Sequence, residues 1–577
     1  MSQLFGDLPQ DWKAFSHWTW EETQPFADDL LGRRLTPESV ETWMLDWSSL
    51  MCLITEVYNR LHIHTTAHTD DADGHARFRA YTQDFMPKAR AFEQAMKVKL
   101  IDSGLEPAGM RVPLKRMRSD AAIYREENLA IQAEIEELSS ELMAITGGIA
   151  FRWDGQDLTR AQVAAKLAGP DRQERERAWK CMAGAHQDVA GRMDAIWARM
   201  VSLRGQMAHN AGFDSYRDYR WQELARFDYS PADVKTFQDA IEQVVVPACN
   251  RLAERRRKTM GVDRLRVWDD YWHLQPDLYG RPPLQPFRTV EELNQGMVGI
   301  FTRLDPELGA EYQALWDEGL LDLDNRPNKA AVGYMEQLPV SKKPFIFQGV
   351  VGGHQDVTVQ LHESGHAFHY LECCHLPYFY QFADAYGPIE FAEVASMGME
   401  LLASPYLGLE DGGFYTPEEL AQERSGHLSS IIRIWPYIAV VDAFQQWAYG
   451  HPDEATETDR MDDVWAELIQ RFLPQLDWTG NEETLRVSWR LQAHIFHWPL
   501  YYVEYGIAQL GAVQLWANAL KDPQAALADY RHALSLGNTA SLPELYRAAG
   551  IEFRFDADTF GRAIDLIEHT MDELNPS

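Results

Sequence analysis

The sequence predicts a mostly α protein with more than one lobe and a small β-sheet. Its 577 residues exceed what one hydrophobic core usually serves, and 45% of them are apolar, which is enough to build large cores. Residues 121–144 place apolar side chains three and four positions apart between charged ones, the spacing of a helix with one buried face. Strand-like stretches are rare by comparison, so we expect helices to dominate.

Helical patterns continue along the chain, and one strand stands out among them. Gly169-Pro170 marks the end of one helix and the beginning of another, with proline at its first position. The strongest strand signal is PFIFQGVV, residues 344–351, which lies between two lysines and two glycines. Residues 325–334 are rich in turn formers and lead toward a partner strand. We therefore expect the small sheet in this part of the chain.

The charge and the cysteine content exclude several classes of protein. Asp and Glu number 87 against 54 Lys and Arg, a net charge of −33, which disfavours binding to nucleic acid or to an anionic membrane. Five cysteines are too few and too scattered for a disulfide framework. The first residues lack the pattern of a signal peptide, and no apolar run approaches the length of a membrane span. We expect a reduced, cytoplasmic protein.

Residues 362–366, His-Glu-Ser-Gly-His, form an H-E-x-x-H motif. Positions four apart on a helix differ by about 40° around its axis, so His362 and His366 project from one face and suit two nitrogen ligands of zinc. Glu363 lies beside that face and can take a proton from a water on the metal. Asp356 can cap the helix. The motif predicts a hydrolytic metal site that still lacks a third ligand.

A second helical stretch, residues 389–407, offers carboxylates for that ligand. Glu390, Glu393 and Glu400 lie at helical spacings, and Glu393 and Glu400 are two turns apart on one face. One carboxylate completes a His₂Glu site with an open position, and another can accept the free N–H of a ligating imidazole. The spacing alone leaves open which glutamate is the third metal ligand and which accepts the N–H of a ligating histidine.

Three separated stretches, at residues 328–369, 391–405 and 491–516, resemble the thimet oligopeptidase and oligoendopeptidase F family of zinc peptidases. They carry the motifs GGHQDVTVQLHESGHAFH, FAEVASMGMELLASP and LQAHIFHWPLYYVEYGIAQLGAVQLW; GFDSYRDYRW, residues 212–221, is a weaker match. The resemblance implies one zinc ion per chain, bound by His362, His366 and Glu393, with Glu363 as general base. Glu393 is favoured over Glu390 because it lies within the family-like A-E-V-A-S string. Glu400 is then the carboxylate that supports a ligating histidine.

The third stretch offers groups that bind the oxyanion or the substrate. The family uses one histidine and two tyrosines for this purpose, and the best matches are His494, Tyr502 and Tyr505. Tyr502 and Tyr505 are three apart and would share a helix face. Hydrogen-bond donors aimed at an oxyanion are typically worth about 10²–10³ in rate. His497 and Tyr501 are close competitors, and the choice among them stays open.

The predicted strand at 344–351 has a possible part in substrate binding. If its edge is exposed beside the zinc helix, a peptide can bind there as an added strand. Gly349, Gly352 and Gly353 would let the substrate backbone approach closely. The same glycines are equally typical of turns.

Together these features predict a cytoplasmic zinc-dependent oligoendopeptidase that hydrolyses internal bonds of short peptides. The resemblance implies a two-lobed helical zincin of the gluzincin type, with a small sheet beside the H-E-x-x-H helix and zinc deep in a substrate channel. Residues 1–195 would form an N-terminal helical lobe and residues 196–577 the catalytic domain. One alternative is a dipeptidyl carboxypeptidase or metallocarboxypeptidase, which needs a cationic group for the substrate's terminal carboxylate. Another is a non-catalytic peptide-binding protein, which would not need Glu363. The acidic charge suggests a preference for cationic peptides.

Overall fold

The computed structural model describes residues 4–269, 280–383 and 387–575, and these are predominantly helical. The helices up to residue 260 are α1 (Trp12–Phe15), α2 (Trp20–Gly32), α3 (Val40–Ala67), α4 (Ala72–Ala80), α5 (Met86–Ser103), α6 (Arg111–Ile123), α7 (Glu127–Gly147), α8 (Arg160–Leu167), α9 (Arg172–Gln187), α10 (Ala190–Asn210), α11 (Tyr216–Glu223), α12 (Pro231–Ala240) and α13 (Val246–Met260). Those that follow are α14 (Val290–Leu304), α15 (Pro306–Asp317), α16 (His354–Cys373), α17 (Phe379–Phe382), α18 (Ile389–Ala403), α19 (Pro417–Gly450), α20 (Thr458–Phe472), α21 (Glu482–Val487), α22 (Ala493–His497), α23 (Val503–Ala519), α24 (Pro523–Ser535), α25 (Leu542–Ala548) and α26 (Ala557–Leu574). The mostly α prediction is confirmed.

Two of the sequence-based helix boundaries need correction. The helical pattern at 121–144 is interrupted, because α6 ends at Ile123 and α7 begins at Glu127. At the second boundary, Asp171 caps α9 by accepting a hydrogen bond from the Gln173 backbone N–H at 2.8 Å. Pro170 therefore lies before the cap and not at the first helical position.

The strands form two small sheets. They are β1 (Phe151–Trp153), β2 (Gln156–Leu158), β3 (Leu321–Asp322), β4 (Tyr334–Leu338) and β5 (Lys343–Phe347). β1 and β2 pair as a hairpin, and the other sheet has the order β3-β5-β4, with β3 parallel and β4 antiparallel to β5. The predicted strand is thus confirmed for residues 344–347, and residues 325–334 do lead to its partner β4. The condition of a free edge on this strand is not met, because β5 pairs with β3 on one side and with β4 on the other; β3 and β4 are the edge strands of this sheet.

Contacts between Cα atoms group the chain into two compact units. Unit 1 comprises the described residues of 1–121, 284–420 and 511–553, and unit 2 those of 122–283, 421–510 and 554–577. Each unit is therefore assembled from three separate stretches of chain. The division into 1–195 and 196–577 stays a prediction, and residue 195 itself lies within α10.

The core of unit 1 supports the helix that carries the H-E-x-x-H motif. Side chains of α2, α3, α5 and α17 build an aromatic cluster, in which the Trp47 and Tyr380 ring centroids are 4.8 Å apart. Tyr370 and Cys373, near the end of α16, are buried in the same cluster. Along its length α16 packs against α18, α24 and the β4–β5 pair, so the predicted small sheet does lie beside this helix.

Asp356 fixes the beginning of α16. Its Oδ2 accepts backbone N–H groups from Val351 and Gly352 at 2.8 Å and from Gly353 at 3.0 Å. Gly352 has φ of +91°, a conformation that L side chains rarely adopt, and Gly353 is the N-cap residue. The capping role predicted for Asp356 is confirmed. Across the described ranges of the chain, no helix combines the length and the apolar character that crossing a membrane requires.

Candidate functional site

In unit 1, α16 and α18 bring three predicted ligands together. His362 and His366 lie one turn apart on α16, with ring centroids 5.0 Å apart and ring planes at 86°. Glu393 of α18 places Oε2 3.4 Å from His362 Nε2 and 3.8 Å from His366 Nε2. One donor atom from each residue lies within 4.8 Å of the others. Two imidazole nitrogens and one carboxylate oxygen are the donor set of a catalytic zinc site, so the residues fit that metal.

Two further side chains orient the donors. Glu400 Oε1 is 2.7 Å from His362 Nδ1, so this carboxylate can accept a hydrogen bond from Nδ1–H in the tautomer that leaves the Nε2 lone pair for a metal. The Ser396 hydroxyl donates to Glu393 Oε2 at 2.9 Å. Glu400 thus lies where the sequence predicted, whereas Ser396 was not predicted. The serine of the A-E-V-A-S string was the signal that could have identified it.

Burial and neighbouring charges shift the pKa values of this cluster. Burial lowers the pKa of His366 to about 4, which keeps its imidazole neutral near pH 7 and its lone pair available to a metal. Burial opposes a charge on His362, but its bonds to Glu393 and Glu400 outweigh this and hold its pKa well above the usual value. Burial also works against ionisation of Glu393, yet the hydrogen bond from His362 leaves its pKa lowered. The two carboxylates therefore favour a positive charge here, carried by a proton or a metal ion.

Glu363 lies on α16 beside these donors and against the sheet. It is 8% exposed, and the backbone N–H of Met335 on β4 is hydrogen-bonded to its carboxylate. A Cβ atom added to Gly333, just before β4, would lie 3.9 Å from Glu363 Oε1. Burial raises the pKa of Glu363 to about 7, although the charge of His362 acts in the opposite direction. A carboxyl group with this pKa can both accept and release a proton near neutral pH.

Gly365 permits the close approach of α16 and α18. A Cβ atom at this position would lie 2.5 Å from Ala395 O and 2.6 Å from Ser396 Cα. Tyr530 of α24 donates its hydroxyl to the same carbonyl, Ala395 O, at 2.6 Å. The motif's glycine is therefore a packing requirement that brings the histidines within reach of Glu393. Sequence reasoning missed it, although a glycine in the middle of a helix is itself a signal of close contact.

The three glycines predicted to bind substrate have different surroundings. The backbone N–H groups of Gly352 and Gly353 are bound to Asp356, which explains these two as turn residues. At Gly349 a Cβ atom would have Asn325 Oδ1 as its nearest neighbour, at 3.9 Å. A role in substrate binding stays a prediction.

In unit 2, the predicted histidine and tyrosines form an aromatic cluster. The His494 ring on α22 lies 4.8 Å from Tyr502 and 6.1 Å from Tyr505, and the two tyrosine rings are 5.6 Å apart. Tyr501 also belongs to the cluster, 5.5 Å from Tyr505 and 6.5 Å from His494. Trp498 packs against both histidines, with ring centroids 5.2 Å from His494 and 5.4 Å from His497. Tyr502 and Tyr505 do not share one helix as predicted, because α23 begins at Val503.

Burial keeps His494 and Tyr502 uncharged. It lowers the pKa of His494 to about 4, with a smaller contribution from His497, so the imidazole is neutral near pH 7. It raises the pKa of Tyr502 to about 12, partly opposed by a hydrogen bond with Gln492. Tyr502 therefore retains its O–H proton and can donate a hydrogen bond.

The loop between α22 and α23 is held by buried polar groups. Leu500 has φ of +62°, and its carbonyl accepts a hydrogen bond from Arg226 Nη2 at 2.6 Å. The same nitrogen is 2.6 Å from Glu504 Oε1, and the Arg226 and Glu504 side chains are 1% and 3% exposed. Gln445 Oε1 accepts the Leu500 N–H at 2.8 Å, and Arg220 Nε donates to the Pro499 carbonyl at 3.2 Å. These contacts set the positions of Tyr501 and Tyr502.

None of these supporting residues was predicted as part of the site. Arg220 belongs to GFDSYRDYRW, the upstream stretch that carried only a weak resemblance. Arg226 and Glu504 are 278 positions apart in the chain, so no local pattern connects them.

Comparison with known proteins gives a family match and several solved structures of the same fold. The family described as peptidase family M3 matches residues 167–565. A structure of PZ peptidase A with an inhibitor is 23% identical over 99% of both chains, with a TM-score of 0.85. An X-ray structure of a protein assigned as oligoendopeptidase F is 24% identical over 99% of both chains, also with a TM-score of 0.85. Another, from Bacillus anthracis str. Ames, is 23% identical over 99% of this chain and 98% of that chain, with a TM-score of 0.81. No curated protein sequence matches the chain.

Proposed function

The chain belongs to peptidase family M3 and is a metalloendopeptidase, and on this basis we propose that it is a zinc enzyme that hydrolyses internal bonds of short peptides. The observation that carries the proposal is the convergence of His362, His366 and Glu393, with their donor atoms within 4.8 Å of one another and Glu363 beside them. The cytoplasmic location remains a prediction from the sequence.

His362 and His366, through Nε2, and Glu393, through a carboxylate oxygen, would hold one zinc ion per chain. When bound, zinc supplies Lewis-acid activation of water and of the peptide carbonyl. Glu400 keeps the His362 ring in the tautomer that presents Nε2, and Ser396 orients Glu393. The two buried carboxylates, the neutral His366 and a His362 that can exchange its proton for a metal ion thus supply a preformed cation site.

Glu363 would serve as the proton carrier. As general base it accepts a proton from the attacking water at a carboxylate oxygen, and it then releases that proton to the nitrogen of the leaving amine. Its pKa of about 7 suits both transfers near neutral pH, and the Met335 N–H holds the carboxylate in place. General acid–base catalysis of this kind contributes about 10²–10⁴ in rate.

His494, Tyr502 and Tyr505 would hydrogen-bond the developing oxyanion or the substrate. The raised pKa of Tyr502 supports a donor role, because the phenol remains protonated throughout the working pH range. Tyr501 lies in the same cluster, so it remains a candidate alongside them. The contacts of the His494 ring with Tyr502 and Tyr505 favour His494 as the histidine of this set.

Glu363→Gln tests the proposed chemistry. We expect this variant to keep one zinc ion per chain, by elemental analysis, and to lose at least about 10²-fold in kcat on a series of peptides of increasing length. Undiminished cleavage by the variant would refute the general-base role. Mass spectrometry of the products distinguishes the alternatives, since release of C-terminal residues or dipeptides would replace the endopeptidase proposal.

A matched pair of variants tests the ligand assignment. Glu393 and Glu390 both lie on α18 and both are buried, but only Glu393 has a carboxylate oxygen in the donor group. We expect Glu393→Gln to lose zinc and Glu390→Gln to retain it. The opposite result would show that the assignment of the third ligand is wrong.

A further inference from the structure

Unit 2 contains a cavity of about 220 Å³ whose wall is largely apolar. Three tryptophans, Trp179, Trp465 and Trp478, line it, together with aliphatic side chains of α9, α20 and the segment that follows α20. An apolar protein cavity of about 150 Å³ binds benzene. This cavity therefore has room for one aromatic ring and a short polar group.

The charged residues of the cavity wall are all basic. Arg160, Arg433 and Arg490 line it, whereas its described wall contains no aspartate or glutamate. Arg490 is neutralised by Asp194, at 2.6 Å, and by Asp462, at 2.7 Å. Arg160 is exposed at the beginning of α8, and it adds positive charge to the wall of a cavity in a chain whose net charge is −33. Such a cavity favours an anion over a cation.

Buried polar atoms of the wall lack hydrogen-bond partners among the described residues. They are Gln475 Oε1 and Trp478 Nε1. A buried polar group without a partner typically costs about 1–3 kcal/mol. Trp478 Nε1 is a donor, which suits a ligand with an acceptor oxygen.

The cavity also borders the aromatic cluster of the candidate site. Tyr502 and Tyr437 are part of its wall, and their ring centroids are 6.1 Å apart. Gln492, another wall residue, is hydrogen-bonded to Tyr502. A ligand in the cavity would therefore contact a residue to which we assign a part in the reaction.

We propose that this cavity binds a hydrophobic carboxylate, with the apolar group among the tryptophans and the carboxylate at Arg160. Its source is the C-terminal residue of a peptide, and this part rests on the proposed peptidase function. The cavity would then favour peptides that end in a large apolar residue with a free carboxylate. This differs from the preference for cationic peptides suggested by the net charge alone.

A binding measurement tests the proposal without requiring catalysis. The probes are N-acetylphenylalanine and its amide, which differ in charge but hardly in shape, and the emission of the three wall tryptophans reports their binding. We expect the acid to bind at least about tenfold more tightly than the amide. Equal affinities would overturn the proposal.

Variants locate the ligand. Ala183 lines the cavity on α9, so Ala183→Phe should fill the space and abolish binding of the acid. Arg160→Gln should weaken the binding of the acid by about three- to tenfold and leave the binding of the amide unchanged. Arg192→Gln, an exposed position on α10 outside the cavity wall, is the matched control and should change neither. Binding that survives Ala183→Phe would place the ligand elsewhere and refute the assignment.

Peptide cleavage identifies the source of the carboxylate. Matched peptides that end in phenylalanine acid or phenylalanine amide should differ in KM in the wild type, and that difference should shrink about three- to tenfold in Arg160→Gln. If N-acetylphenylalanine binds as expected but the two peptides have equal KM, the ligand is a free carboxylate and the assignment to a peptide terminus is overturned. If no peptide is cleaved at all, the proposed function fails, whereas the binding measurement still decides whether the cavity takes a carboxylate.

Discussion

Gly365→Ala should separate the two helices that carry the candidate zinc ligands. The added Cβ atom would lie 2.5 Å from Ala395 O and 2.6 Å from Ser396 Cα, and both are backbone atoms that cannot rotate away. Ordinary van der Waals contact begins at 3.4 Å, so α16 and α18 must move apart by about 0.9 Å. Alanine improves helix propensity by about 1 kcal/mol, but overpacking typically costs about 1–3 kcal/mol. We expect a small net loss of stability.

The larger effect should be on the metal site. Distances in a metal site are held to within about 0.2 Å, so a displacement of several times that amount weakens the donor set. We expect zinc affinity to fall at least about tenfold, which corresponds to about 1.4 kcal/mol, and kcat/KM to fall with it at limiting zinc. Competition with a chelator measures the zinc affinity. The activity at increasing zinc concentrations measures how kcat/KM depends on the bound metal.

A second glycine provides the control. Gly426 lies on the exposed side of α19, and a Cβ atom there meets nothing within 4 Å. Gly426→Ala should leave zinc affinity and activity unchanged and stabilise the protein slightly. If Gly365→Ala bound zinc within twofold of the wild type, the argument that this glycine sets the ligand geometry would be wrong.

Three further predictions concern side chains that support the sites. Glu400→Gln weakens the acceptor for His362 Nδ1, so zinc affinity should fall about 10–100-fold in chelator competition, and an unchanged affinity would contradict that role. Arg226→Met leaves Glu504 buried without its partner and should cost about 3–5 kcal/mol in denaturant unfolding, whereas Arg226→Met/Glu504→Leu should recover much of that loss; equal losses would contradict the pairing argument. Burial raises the pKa of Asp442 from 3.8 to about 6, so the folded protein binds this proton more tightly than the unfolded chain and stability should fall as pH rises from about 4 to 6. Asp442→Asn should remove that part of the pH dependence of the melting temperature, and an unaltered profile would show that the group does not titrate in this range.

The predictions that succeeded relied on local periodicity. His362 and His366 share a face because any helix places residues four apart on one side, and Glu393 and Glu400 are arranged by the same rule. The residue types then indicated the chemistry. Such patterns are contained within about two turns of one helix, so they do not depend on contacts with the rest of the chain.

The predictions that failed depended on contacts between distant segments. β3 has only two residues, too few for a sequence signal, yet its pairing with β5 removes the free edge expected at residues 344–351. The helix break before Val503 depends on Leu500, whose positive φ is supported by Arg226 and Gln445 from far upstream. Neither of these contacts produces a periodic pattern in the sequence. The tertiary structure therefore overrides the secondary structure expected from the local sequence.

The composition of unit 1 from three stretches of chain has a consequence for biosynthesis. A ribosome releases residues 1–121 long before residues 511–553, although both belong to the same unit. The helices that carry the candidate ligands, α16 and α18, are complete by Ala403, but the Tyr530 hydroxyl that donates to Ala395 O is made much later. During that interval the nascent chain carries all three donor side chains without the helix α24 that packs against α16. The candidate metal site therefore cannot reach its final packing until α24 has left the ribosome, and until then the surfaces of α16 and α18 that α24 covers are exposed.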